Sequence, residues 1–252
     1  VITPTASEVS LTEKGYRNFF RVNANDETQA RVDAEFLVNN LGARQVAVVY
    51  NDDPYGQGLG QLIADDLRSL GAEVVLSLQV GVEQSTFPDE IPQIVAAQPD
   101  AVFYGGYEVE APYLRIELVE AGLNVPFLAS DGAFLAATID EAGSAAEGMY
   151  VSAFGPRPQA AVDDTWIKEY QAVEYRNPDT YSINGYSAME VLAEGVREAD
   201  SFDAAAVANA IRSLDGVETP LGALRFNAEG DLQEQKIYIF RVQDGDWEQV
   251  HP

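Results

Sequence analysis

Between residues 45 and 154 the chain alternates short apolar runs with amphipathic stretches, and this alternation limits the possible folds most. Gln45–Tyr50 (QVAVVY) is a continuous apolar run, the pattern of a strand buried on both faces. Gly58–Leu70 follows, with Leu59, Leu62, Ile63, Leu67 and Leu70 at helical spacing, and Gly71 stands where helices commonly end. The cycle then repeats. Glu73–Val80 reads as a strand, Phe87–Ala97 as a helix, Ala101–Tyr104 as a strand and Val109–Ala121 as a helix. Pro126–Ala129 is a short strand, Phe134–Ala142 a short helix and Met149–Phe154 a strand. Strands separated by helices of this length form right-handed βαβ units, giving an α/β fold with a parallel sheet covered on both faces.

The two ends depart from this rhythm. Val1–Ser7 reads as a strand end and loop, and Phe19–Val22 as a second short strand, with no helix before either. After Pro156 three helices come in succession, Ala160–Tyr175, Tyr181–Ala199 and Asp203–Leu214, without an evident strand between the first two. Leu221–Phe226, Lys236–Gln243 and Trp247–Val250 read as strands, with turns at Asn227–Asp231 and Asp244–Asp246. The helices after 156 need a sheet to cover, and few strands remain to supply one.

Composition narrows the chemistry. The 252 residues hold 41 acidic and 15 basic side chains, a formal charge of −26. Such a surface repels phosphate backbones, so nucleic-acid partners are not expected. Cys is absent and the one His is His251, next to the C-terminal residue. That removes disulfides, thiolate metal clusters, a Cys nucleophile and a buried Ser–His pair. No apolar run approaches the roughly 20 residues of a membrane span, and no basic-then-apolar leader opens the chain. The acidic excess is read as salt adaptation, because concentrated salt screens repulsion between like charges.

Ligands of open α/β sheets bind at the carboxyl ends of the strands. There the sequence places Thr5-Ala6-Ser7, Asn51 to Gly58, Gly105-Gly106-Tyr107-Glu108 and Ser130-Asp131-Gly132. Gly56-Gln57-Gly58-Leu59-Gly60 invites a dinucleotide reading, but Gln61 stands where the fingerprint needs its last glycine. Asp52 and Asp53 would also repel a pyrophosphate, and the loop reads as longer than that motif's tight turn. The glycines are therefore taken to serve close packing at a helix start. By spacing alone Asp131 is a helix cap or turn former, Ser7 a loop hydroxyl, and Tyr55, Tyr107 and Tyr181 ordinary aromatics. The pairs Asp52-Asp53, Asp65-Asp66 and Asp163-Asp164 lack calcium-loop spacing and read as solvated surface, so no metal or other cofactor is expected.

Several blocks in order carry a family resemblance. They are Ile2-Thr3-Pro4-Thr5-Ala6-Ser7, Leu11-Thr12-Glu13-Lys14-Gly15-Tyr16, Phe20-Arg21, Asp26 and Gln29, then Val46–Val49 with Tyr55-Gly56-Gln57-Gly58-Leu59. Tyr104-Gly105-Gly106-Tyr107, Ala146-Glu147-Gly148, Tyr186-Ser187-Ala188 and Gly230-Asp231-Leu232 continue the series. Together they resemble the type I periplasmic solute-binding proteins of branched-chain amino acid ABC importers, the leucine/isoleucine/valine-binding family.

The resemblance implies two α/β lobes that close on a small ligand, with residues 1–25 and 156–216 in lobe one and 26–155 and 217–252 in lobe two. It also implies that the chain starts within lobe one, without the family's opening βαβα stretch. A periplasmic or cell-surface protein is implied, with ABC permease subunits as partners and no enzymatic activity. Carried over residue by residue, Thr5 offers its carbonyl to a ligand ammonium, and Ser7 its hydroxyl and N–H to a ligand carboxylate. Tyr55 closes over the ligand, Tyr107 lies near its α-group, and Tyr181 forms an aromatic wall. Asp131, where the family commonly has Glu, is the counter-ion of the ammonium. The rival readings are a sensor domain of the same fold, or a binder of an amide, urea or aromatic acid. An acidic residue at 131 would repel an aromatic carboxylate.

Overall fold

A computed structural model describes residues 1–251. The chain opens with β1 (Ile2–Thr3), the single turn α1 (Ser10–Glu13) and β2 (Phe20–Arg21), then α2 (Asp26–Glu35), which continues as a π turn over Phe36–Asn40. The alternating stretch follows as β3 (Gln45–Asn51), α3 (Pro54–Ser69), β4 (Glu73–Val80), α4 (Glu90–Ala97), β5 (Ala101–Gly105), α5 (Ala111–Glu120), β6 (Phe127–Ala129), α6 (Ala136–Ala142) and β7 (Tyr150–Ala153). Next come α7 (Pro158–Ala161), α8 (Asp164–Glu174), α9 (Thr180–Ala199) and α10 (Ala204–Ser213). The chain ends with β8 (Val217–Thr219), β9 (Gly222–Leu224), β10 (Tyr238–Gln243) and β11 (Asp246–His251).

The chain divides into two compact units. Unit 1 comprises residues 1–28 and 154–237, and unit 2 residues 29–153 and 238–252. Residues 217–237, which the resemblance assigned to lobe two, thus fall in unit 1. The reason is local: Val217, Leu224, Phe226 and Leu232 share a core with Phe20, Val22, Val191 and Ile211 of unit 1.

Unit 2 is built on a seven-stranded sheet in the order β11-β10-β7-β6-β5-β3-β4. From β4 to β7 neighbouring strands run parallel, and β10 and β11 close the edge as an antiparallel hairpin. Alternate residues of the strands feed two separate cores. Ala47, Val49, Val102 and Tyr104 pack with Leu114 and Leu118 of α5, while Val46, Val48 and Phe103 pack with Leu59, Ile63 and Leu67 of α3. Such two-sided burial is what forced the continuous apolar runs.

Unit 1 holds only two small sheets, the parallel pair β1-β2 and the antiparallel pair β8-β9. Its anchor is Arg21, fully buried on β2. Nε lies 2.5 Å from the Asp231 carboxylate, Nη1 donates to the carbonyls of Ala6 and Glu8, and Nη2 donates to Thr12 Oγ1. A buried charge is tolerable only when paired in this way. Two blocks of the resemblance, Phe20-Arg21 and Gly230-Asp231-Leu232, thereby acquire a common structural role.

Several element boundaries differ from the expectation. α3 starts at Pro54 rather than Gly58, because Asp53 caps it through the Tyr55 N–H (2.9 Å) with proline next in line. The turn after β3 is therefore short, so loop length does not argue against a dinucleotide motif, though Gln61 and the two aspartates still do. α4 starts at Glu90 rather than Phe87, and α5 at Ala111 rather than Val109. The helix expected over Ala160–Tyr175 is two, interrupted where Asp163 caps α8 through the Trp166 N–H. The strand expected over Leu221–Phe226 is the second arm of a hairpin whose first arm, β8, was not anticipated. Nor were α2, or the turn α1 between β1 and β2.

Candidate functional site

The strand order of unit 2 creates a crevice. From β3 the chain moves by way of α3 to β4 on one side, then crosses to β5 on the other. The β3/β5 boundary is thus a topological switch point, where parallel sheets leave an opening at their carboxyl ends. Three turns meet there, after β3, β5 and β6, and they carry Asp53 and Tyr55, Tyr107, and Asp131.

Their side chains are tied together. The Tyr55 hydroxyl donates to Asp131 Oδ1 at 2.5 Å, and the Tyr107 hydroxyl donates to Asp53 Oδ1 at 3.0 Å. The two tyrosine rings stack, with centroids 5.5 Å apart and planes at 29°. Asp53 Oδ1 accepts both the Tyr55 N–H and the Tyr107 hydroxyl, so one carboxylate starts α3 and aims both aromatic groups. Burial first, then the hydrogen bond to Asp53, hold the Tyr107 phenol well above its ordinary range. It stays a neutral donor at any physiological pH.

The turns are fixed from beneath. The Ser130 hydroxyl lies 3.1 Å from both the N–H and the carbonyl of Gly106. A Cβ at Gly132 would stand 2.4 Å from the Gly106 carbonyl, so only glycine lets the β5 and β6 turns approach this closely. Glu110, wholly buried, accepts the Tyr104 hydroxyl (2.8 Å), the Tyr107 N–H (3.1 Å) and the Glu83 N–H (2.6 Å). Asp131 opens the short turn Asp131–Ala133, whose cap position is held by Ser130, and its carboxylate accepts the Tyr55 hydroxyl.

Unit 1 carries the other expected residues. The Thr3 hydroxyl accepts the N–H groups of Thr5 (3.3 Å) and Ala6 (2.9 Å), which curls the loop after β1. Thr5 is exposed and Ser7 buried. Asn184 of α9 donates to the Pro4 carbonyl at 3.1 Å, joining this loop to the helix whose first turn holds Tyr181. A capping box of Asp179 and Ser182 fixes that turn. Asp26, at the start of α2, donates its N–H to the Ser7 carbonyl at 2.9 Å. The structure therefore gathers Tyr55, Tyr107 and Asp131 in unit 2 and places Thr5, Ser7 and Tyr181 in unit 1. Asp53, Glu110 and Asp26 are neighbours of these residues that the sequence reading did not assign to the site. The Asp53-Pro54 pair, a cap followed by proline, was the one signal available for the first.

Among the described residues no group of three or more His, Cys, Asp or Glu side chains could hold a metal ion. No helix among them is long and apolar enough to cross a membrane.

A family model described as "Periplasmic binding protein" matches residues 1–246. The chain belongs to the periplasmic binding protein family. Among curated members, Leu/Ile/Val-binding protein homolog 1 of Brucella melitensis biotype 1 is 30% identical over 245 residues, covering 97% of this chain and 66% of the relative. Leu/Ile/Val-binding protein homolog 3 of the same organism is 29% identical, covering 97% and 67%. The chain thus spans about two thirds of the length of these relatives. Of solved structures, a leucine binding protein from Thermotoga maritima superposes with a TM-score of 0.90 at 24% identity, over 99% of this chain and 71% of that one. A solute-binding protein from R. palustris in complex with benzoate gives 0.87 at 17% identity, over 99% and 69%. At these identities the structures speak for the fold, a type I periplasmic binding protein architecture.

Proposed function

We propose that this chain is part of the extracytoplasmic solute-binding subunit of an ABC importer, and that its ligand is an α-amino acid of branched-chain or similar type. The observation that carries this reading is the Asp131 carboxylate, set at the switch point of the unit 2 sheet against the Tyr55 hydroxyl. A carboxylate offers about four acceptor positions, so Asp131 can accept from an ammonium as well as from the Tyr55 hydroxyl. The stacked Tyr55 and Tyr107 rings add an apolar wall with polar tips, suited to an amino-acid side chain. Ser7 and Thr5 of unit 1 are assigned to the ligand's polar ends, and Tyr181 to its side chain. The curated relatives named as Leu/Ile/Val-binding proteins support the ligand class. Benzoate occupies one structural neighbour, but here an aromatic carboxylate would meet the like charge of Asp131.

The protein would bind and release without chemistry, with permease subunits in the membrane as its partners. Calorimetric titration with amino acids, amides and aromatic acids tests the assignment. At least one α-amino acid should bind, and Asp131→Ala should weaken it by about 2–4 kcal/mol, roughly 30- to 900-fold, through loss of the counter-charge. Asp131→Asn, which keeps an acceptor for Tyr55, should lose nearly as much. Equal affinity in all three proteins would return Asp131 to a purely structural role.

A further inference from the structure

The hydroxyl hydrogens of the unit 2 site can be counted. Tyr55 gives its one hydrogen to Asp131 Oδ1 at 2.5 Å, and Tyr107 gives its one hydrogen to Asp53 Oδ1 at 3.0 Å. Backbone donors of the same turns are also committed. The Tyr55 N–H goes to Asp53 Oδ1, the Gly106 N–H to Ser130 Oγ and the Tyr107 N–H to Glu110 Oε2. The Glu108 N–H goes to the Gly132 carbonyl at 3.0 Å. Tyr55, Tyr107 and Asp53 are each half-buried, so the cluster keeps some surface to offer a ligand.

An ionised carboxylate only accepts, and a phenol whose hydrogen is taken offers a ligand only its lone pairs. The two carboxylates and the two phenol oxygens thus all ask for hydrogens and have none to give. A primary ammonium, with three hydrogens and a positive charge, meets that demand. A 2-oxo group brings only lone pairs and no charge. It would face acceptors on every side, and leaving polar groups unpaired is the strongest way a site rejects an analogue. Asp53 decides this balance at Tyr107. Without its oxygen, the Tyr107 hydrogen would turn to the ligand.

We propose that Asp53 determines specificity as a positioning residue: by holding the Tyr107 hydrogen it keeps the side chains of the unit 2 site a hydrogen-accepting set, which admits an α-ammonium and rejects an α-oxo group. This rests on the reading that the ligand's α-group meets Asp131 and Tyr107. Asp53 acts through Tyr107, by fixing which way that hydroxyl points.

The test is calorimetric titration of the full chain with leucine and with its 2-oxo analogue, 4-methyl-2-oxopentanoate, the weaker of the two read by competition. Asp53→Asn loses the charge but keeps an oxygen to cap α3 and take the Tyr107 hydrogen. Asp53→Gly loses both charge and oxygen, at little cost to the cap. Asp53→Gly should therefore bind the oxo acid about 2- to 10-fold more tightly than Asp53→Asn does, the worth of one hydrogen bond, with no such gain for leucine. Adding Tyr107→Phe to both should abolish the difference. Equal oxo-acid affinity in the two variants, or a difference that survives Tyr107→Phe, overturns the proposal. Tyr107→Phe alone leaves the start of α3 intact and gives a second check. It should weaken leucine by a similar factor, through the lost acceptor, and should not weaken the oxo acid. An equal loss for both ligands would show that Tyr107 donates to the ligand, and the proposal would fall. If no α-amino acid binds wild type, the ligand assignment falls; if leucine binds and the comparisons fail, only the role of Asp53 does.

Discussion

Single buried acids set much of this molecule's behaviour, and Asp33 is the clearest case. It lies on α2 with no exposed surface. Ser152 Oγ donates to its Oδ2 at 3.0 Å and receives Gln29 Nε2 at 2.9 Å. Asp33 Oδ1 and Gln29 Oε1 are left without partners. A proton on Asp33 removes the charge from this wholly buried carboxyl. Burial, opposed by the Ser152 hydrogen bond and reinforced by the Asp131 charge, drives the carboxyl well above its ordinary range. A group whose pKa is raised on folding stabilises the fold below its unfolded value. That contribution is lost as pH climbs through the raised value. The comparison of Asp33→Asn with wild type isolates it. The two should melt within about a degree of each other at pH 4. At pH 8 the variant should melt higher, by about 2–4 °C for each kcal/mol relieved. A difference that does not change with pH would mean that Asp33 is ionised and stabilised by something else.

At the scale of elements, the start of α3 has the tightest constraint. A Cβ at Gly56 would stand 2.1 Å from Asn51 Oδ1 and 2.8 Å from the Gly105 carbonyl, and that carbonyl belongs to the β5 backbone. Gly58, one half-turn on, would meet nothing within 4 Å. Gly56→Ala should therefore cost about 1–3 kcal/mol as an overpacked contact, and should also weaken ligand binding by displacing Tyr55. Gly58→Ala should instead stabilise by up to about 1 kcal/mol through helix propensity. Urea unfolding of both variants checks the contrast, and equal midpoints would contradict it. The same contrast explains what the sequence revealed. The strands β3 and β5 were legible because burial on both faces demands unbroken apolar runs. α2 was not, because its buried face is Ala30 and Ala34 with Gln29 and Asp33, a set without apolar periodicity. Position after their strands put Tyr55, Tyr107 and Asp131 on one rim, but only the family resemblance made them ligand candidates. The cap made by Asp53 was legible from the proline that follows it, but its bond to Tyr107 was not, and Glu110 depends on Tyr104 and on the distant Glu83 N–H, which only the fold brings to it.

Across the whole chain, charge decides the conditions of stability. With 41 acidic and 15 basic side chains, one-to-one pairing could cover at most 15 acids and would leave 26 unmatched. The ion pairs that do form at the surface, such as Arg68–Asp65 and Arg225–Asp215, involve well-exposed side chains that solvent and salt screen strongly. They cannot offset repulsion summed over the excess. That repulsion reaches about 10 Å at 0.1 M salt and about 3 Å at 1 M, so added salt should relieve it without altering any contact. The melting temperature at pH 7.5 should rise with sodium chloride up to about 1 M and then level off as the screening length falls below the spacing of the charges. Salt also strengthens apolar burial, so a rise alone does not identify the cause. The slope at a second pH does. At pH 4.5 many carboxylates take protons, the repulsion shrinks, and the same salt series should move the melting temperature much less. Equal slopes at the two pH values would assign the effect to apolar burial. A melting temperature that falls with salt at pH 7.5 would show that the acidic surface carries no repulsive penalty, and the reading of this charge as salt adaptation would fail.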